Sequence, residues 1–244
     1  MLRGRTHRPA YEPPNNDMTP LAPLIRSDSL AQQGYDAIRR AIRDGRIARG
    51  LFFSETTLAQ MLGVSRTPVR EALLNLYRDG VVQIVPKRGY RLLDLDDAAI
   101  REIRLLRVCL EQIVVEQLCA LITPAGVAEL RTILKGKAAK AIDMYSIDEA
   151  FHLRMAELAG LFQIRRELLS VRAKMYLIAS GTRVAAMRNT KVVQEHNDLV
   201  DAIEARDVRR AKQLIKSHVE RSIDAYVAAH ARLQGEKKPL ERIV

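Results

Sequence analysis

The chain has no tryptophan, only 5% aromatic residues, and just 12 glycines and 9 prolines among 244 positions. An all-β sandwich or barrel draws heavily on aromatic and turn-forming residues, so this scarcity favours helices packed through Leu, Ile, Val and Ala. No uninterrupted apolar run approaches the roughly 18 residues of a membrane span, and no membrane partner is expected. The N-terminus (MLRGRTHRPAYEPPNND) carries arginine without an apolar core, unlike a secretory signal. Cysteine is limited to Cys109 and Cys119. Ten residues of helix would hold them about 15 Å apart, too far for a disulfide. Both are expected as buried, reduced side chains of a cytoplasmic protein.

Positive charge is what the chain has in excess. The formal net charge is +11, which points to a polyanionic partner. Residues 1–93 hold 15 Lys and Arg against 8 Asp and Glu, and the remaining 151 residues hold 25 against 21. The polyanion site is therefore expected in the N-terminal third. Residues 1–26, with five of the nine prolines, read as a disordered basic tail.

Periodicity predicts a helix over about 28–44, with Leu30, Ile38, Ala41 and Ile42 as its apolar stripe and Gly45 as its stop. A short helix follows over 55–62, with Leu58, Met61 and Leu62 inward, then a Gly63-Val64 turn. A third helix runs from Arg66 to Arg78, capped by Ser65, with Pro68 in its first turn where a missing N–H costs little. Segments 81–86 and 90–95 read as short strands around a basic tip, Lys87-Arg88-Gly89. Two helices joined by a tight glycine turn make a major-groove reader. Val69, Ala72, Leu73 and Leu76 share the buried face of the third helix, whereas Arg66 and Arg70 share another, with Thr67 beside them. Arginine can bond guanine O6 and N7 together, and threonine a base edge or phosphate. Lys87 and Arg88 would reach backbone or minor groove. The competing reading of these cations is a solvated charged face.

From Asp96 to about residue 232 the pattern is helical, with breaks expected near Thr123-Pro124, Ile142–Ser146, Gly160–Gln163, Arg188–Thr190 and Arg206-Asp207. That predicts about six helices and no strand. Four of the five histidines lie here. Asp148 and His152, four apart, project from one helix face, and His196 and His218 sit on two later helices. A bundle can converge such residues in its interior, where one carboxylate and three imidazoles suit Zn²⁺, Ni²⁺, Mn²⁺ or Fe²⁺, zinc first among them. The competing reading is a set of exposed polar pairs. Met144, Tyr145, Met155, Met175, Tyr176 and Met187 are expected as core, and His230 at the surface. The domain plan is a tail (1–26), a winged helix-turn-helix (27–95), an all-helical domain (96–232) and a frayed end (233–244). The fold class is mainly α, a winged helix-turn-helix followed by an all-α bundle.

Residues 54–91, above all Gly63-Val64-Ser65-Arg66-Thr67-Pro68-Val69-Arg70-Glu71-Ala72-Leu73, resemble the winged helix of GntR-family transcription regulators. Asp79-Gly80-Val81-Val82 and Pro86-Lys87-Arg88-Gly89 continue the match. The resemblance implies that Ser65, Arg66, Thr67, Arg70 and the wing tip Lys87, Arg88 and Gly89 contact operator DNA. Thr56 stands where some members carry arginine. Residues 97–230 resemble the helical effector domain of the FadR branch (FCD type), whose metal positions match Asp148, His152, His196 and His218. It implies a small organic-acid effector completing the metal's shell, with Arg107 as its carboxylate partner; an ion pair between Arg107 and Glu111 is the alternative. Leu161 replaces a common Asn above that site. The function expected is a homodimeric, ligand-responsive regulator, a repressor, bound to double-stranded DNA at an inverted repeat. The alternatives are a purely metal-responsive regulator and a metalloenzyme. The last has no HExxH, nucleophile elbow or phosphate loop, and only Glu195, about 100° around the helix, as a base.

Overall fold

A computed structural model describes residues 29–136, 144–179 and 184–237. The expected tail over 1–26 and positions 238–244 lie outside the described residues, as do the side chains of Met144, Tyr145, Met187 and His230. Helix α1 spans Leu30–Arg43, α2 Glu55–Leu62 and α3 Arg66–Arg78. Strands β1, Val82–Val85, and β2, Gly89–Leu92, form the hairpin. Helices α4 (Asp97–Leu121), α5 (Pro124–Lys135), α6 (Met144–Leu158), α7 (Phe162–Ala179), α8 (Val184–Glu204) and α9 (Val208–Lys237) follow. Among the described residues no helix is long and apolar enough to cross a membrane.

Local chemistry sets the boundaries. Ser29 Oγ accepts from Gln32 N–H at the start of α1, and Ser54 Oγ from Thr57 N–H at the start of α2. Gly63 ends α2 in the left-handed conformation (φ 66°), which costs a glycine nothing. Val69, Ala72, Leu73 and Leu76 are fully buried and seat α3 on α1, each larger side chain contributing roughly 1.5–3 kcal/mol. The α1 stripe is Ala31, Tyr35, Ile38 and Ile42. Leu30 is 56% exposed and Met61 66% exposed, against expectation. Both sit one position off the buried arc, and hydrophobicity alone does not place a residue on it.

β1 and β2 pair antiparallel from Val82↔Leu92 to Val85↔Gly89, and Phe53 bridges to Tyr90 as a third edge. Gly89 has φ 98°, and a Cβ there would lie 2.6 Å from the Phe53 carbonyl oxygen. Only glycine lets the wing come this close to the segment entering α2.

In the C-terminal part α4 runs along α9 and also touches α6 and α7. Asp96 caps α4 through Ala99 N–H, and Thr123 with Pro124 opens α5. The breaks at 123–124, 160–163 and 206–207 appear where expected. No break occurs at Arg188–Thr190, which lies inside α8: arginine is a good helix former, and Asn189 and Thr190 are weak formers, not breakers. Arg206 takes φ 55° and donates to the carbonyls of Cys119, Ala120 and Ile122, so it caps the end of α4. Met155, Met175 and Tyr176 are core. Cys119 is buried, but Cys109 is exposed, on a face of α4 with Leu105, Leu106 and Ile113.

Candidate functional site

The bundle brings Asp148 and His152 of α6, His196 of α8 and His218 of α9 together, with one ligand atom from each within 4.8 Å of the others. Asp148 Oδ1 lies 3.6 Å from His152 Nε2, 3.3 Å from His196 Nε2 and 3.6 Å from His218 Nε2. His218 Nε2 lies 3.2 Å from His152 Nε2 and 3.4 Å from His196 Nε2. Neighbouring ligands around one ion keep roughly 3.0–3.5 Å when each sits about 2.0–2.2 Å from it. The donor set and its spacing therefore fit a first-row divalent ion. The three imidazoles are buried, with Asp148 21% exposed.

Protonation of His196 and Asp148 agrees with that chemistry. Burial and the neighbouring His218 push His196 down to about 3, so its ring is neutral and offers a lone pair. Burial alone would raise the Asp148 carboxyl, but Arg172, then His152 and His196, hold it well below the usual range. His218 is buried too, yet its hydrogen bonds to Asp148 and Glu195 raise it. A carboxylate can only accept, so Glu195 Oε2, 2.8 Å from His218 Nδ1, fixes the ring proton there and turns Nε2 toward the cluster. Glu111 Oε2 lies 2.5 Å from His152 Nδ1, close enough for an ion pair.

Several of these groups escape sequence reasoning. Arg172 of α7 donates to Asp148 Oδ2 and lies 3.4 Å from Glu111 Oε1. No spacing rule links it to α6, although an arginine only 3% exposed has to meet a carboxylate. Glu195, weighed above as a base, also accepts from Arg221 Nε at 3.0 Å, and its place is to orient His218. Arg107 is 2% exposed and donates through Nε (2.9 Å) and Nη2 (2.8 Å) to Glu111 Oε1. That is the ion pair named above as its alternative role.

A second candidate surface lies on the winged helix. Ser65 caps α3 without a side-chain cap bond, so its hydroxyl faces solvent beside the first N–H groups of the helix. Arg66 and Arg70 are 68% and 69% exposed, and Thr67, Lys87 and Arg88 are exposed with them. Glu55, the first residue of α2, gathers both arginines, with Oε2 3.2 Å from Arg66 Nη2 and Oε1 3.9 Å from Arg70 Nε. Tyr90 of β2 donates to the same carboxylate at 3.2 Å. At the tip Lys87 adopts φ 63°, and Arg88 stacks over Phe52. Gly89 is half-buried and shapes the wing instead of presenting a side chain. Glu55 was invisible in the sequence because it lies 11 residues from Arg66 and 35 from Tyr90.

Comparison with known proteins agrees with both halves. Residues 30–92 match the bacterial regulatory proteins of the gntR family, and residues 102–221 match the FCD domain. An HTH-type transcriptional regulator from an unstable DNA locus of Streptomyces ambofaciens is 30% identical over 196 residues, which is 78% of this chain and 82% of that protein. The HTH-type transcriptional repressor RspR of Escherichia coli K12 is 24% identical over 83% of this chain and 91% of its own length. E. coli McbR/YncC shares the fold, with a TM-score of 0.69 at 20% identity over 84% of this chain and 100% of that one. These relatives are regulators and not enzymes. The chain belongs to the GntR family of DNA-binding transcriptional regulators, with an FCD domain as its C-terminal part.

Proposed function

We propose that the chain is a homodimeric repressor whose operator affinity is set by a divalent transition metal, zinc first, held by Asp148, His152, His196 and His218, together with a small carboxylate effector. The observation that carries this reading is the convergence of four ligand atoms within 4.8 Å inside the bundle, five of their six separations being 3.2–3.6 Å. A bound ion would supply positive charge and open positions for a carboxylate oxygen. Arg107 and Arg172 both lean on Oε1 of Glu111, so an incoming carboxylate could draw either guanidinium away from that shared oxygen. Such a ligand shifts the regulator only through different affinity for its DNA-competent and incompetent arrangements. Repression is favoured by the similarity to RspR. A homodimer is favoured by the exposed apolar face of α4 and by the two-fold symmetry that paired half-sites demand. On each half-site Ser65, Arg66, Thr67 and Arg70 would enter the major groove, with Lys87 and Arg88 on the backbone or minor groove.

The test is elemental analysis of purified protein, followed by gel shifts on the DNA upstream of its own gene, before and after chelation and with a panel of small organic acids. One metal equivalent per chain, lost in Asp148→Ala and His218→Ala, is expected. Stoichiometric metal that persists in both variants would remove the assignment. An operator affinity indifferent to chelation and to every acid would remove the control.

A further inference from the structure

The winged helix and the bundle meet where α1 lies against α7. Arg39 of α1 is 3% exposed, and its Nη2 donates to Glu149 Oε2 on α6. Its guanidinium carbon lies 4.1 Å from the ring centroid of Tyr176 on α7 and 5.1 Å from that of Tyr35 on α1. The Tyr176 hydroxyl donates to the same Glu149 oxygen at 3.5 Å. Arg39 Nε is buried without a hydrogen-bond partner, and Asp36 stands off at 3.9 Å. The guanidinium is thus held by Glu149 and two ring faces.

Each end of this clasp leads to a functional surface. Tyr35 donates through its hydroxyl to Asp79 Oδ2 at 2.6 Å, and Asp79 is the C-cap of α3. On the other side Glu149 directly follows Asp148. Successive residues on a helix point about 100° apart, so α6 offers one carboxylate to the histidine cluster and the next to the clasp. Helix α7 repeats the division one turn apart, with Arg172 on Asp148 and Tyr176 on Arg39. A movement of α6 or α7 that re-seats Asp148 therefore moves a clasp residue as well. A buried ion pair adds little net stability over an apolar contact, yet it tolerates few intermediate geometries. Those properties suit an element with two discrete positions.

We propose that the Arg39–Glu149–Tyr176 clasp transmits occupancy of the Asp148, His152, His196 and His218 cluster to recognition helix α3. The inference rests on the metal reading of that cluster. The test uses the full-length protein and zinc alone, with amide hydrogen exchange read helix by helix and zinc affinity measured by chelator competition. In the wild type zinc is expected to slow exchange in α6–α9 and, about 5- to 10-fold, in α1 and α3. In Arg39→Met and in Glu149→Gln the bundle protection should remain, with zinc affinity within about threefold of wild type, while the α1 and α3 effect disappears. Zinc bound with no change at α1 and α3 in the wild type overturns the clasp and leaves the metal site standing. Undiminished transmission in both variants also overturns it. No zinc bound at all removes the metal reading and the clasp with it.

Discussion

The protein uses one arrangement twice, two arginines gathered on one glutamate, at opposite extremes of burial. On the winged helix Glu55 holds Arg66 and Arg70, both about two-thirds exposed. Inside the bundle Glu111 holds Arg107 and Arg172, both at most 3% exposed. In water such pairs are weak and screened, so the outer arginines can leave Glu55 for a phosphate or a guanine at little cost. In the interior the same pairing is scaffold, because a guanidinium there has no water to fall back on. Burial, more than residue type, separates a docking face from a frame.

The largest effect should come from breaking the inner set. Glu111→Ala leaves two buried guanidiniums short of an acceptor and should cost about 3–5 kcal/mol of stability in urea unfolding; a loss below about 1 kcal/mol would contradict the scaffold role. Next, Arg66→Ala and Arg70→Ala should each weaken specific operator binding by about 1–3 kcal/mol in titrations at fixed salt, with the melting temperature unchanged. Two variants that bind as tightly as wild type would move the recognition surface elsewhere. Glu195→Ala should weaken zinc about 10- to 100-fold in chelator competition, since His218 loses the acceptor that fixes its tautomer. The smallest effect belongs to Glu55→Gln, which should change stability by less than about 1 kcal/mol in the same unfolding assay. A cost equal to that of Glu111→Ala would erase the contrast between the two sets.

The helix-turn-helix was legible because its signals are local. Ser54 and Gly63 act on backbone groups within a few residues, Ser65 takes the N-cap position without a side-chain bond, and the observed boundaries fall on all three. In the bundle the breaks at Thr123-Pro124 and Gly160 were legible for the same reason. Arg188–Thr190 misled because polarity was read as a break. The four cluster residues could be named in advance, since Asp148 and His152 share a helix face, a bundle can bring His196 and His218 to them from later helices, and the family resemblance matched all four. Arg172 and Glu111 could not be placed beside them, because they meet the cluster from α7 and α4 and only packing decides that, whereas Glu195 was in view next to His196 but with a different role. Met61 and Cys109 failed differently: an apolar side chain does not state whether its face is covered by its own chain.

The closeness of Gly89 to the Phe53 carbonyl has a consequence for how this regulator could be retargeted. The loop is anchored at Gly89, whereas Lys87 and Arg88 are exposed, Arg88 resting on the Phe52 ring. Variation at 88, and at 87 among residues that tolerate its φ of 63°, is open to selection or to engineering, whereas variation at 89 would displace the hairpin from the start of α2 and carry Tyr90 away from Glu55. A change of preferred sequence at the edge of the operator can accumulate in two residues, provided the third stays as it is.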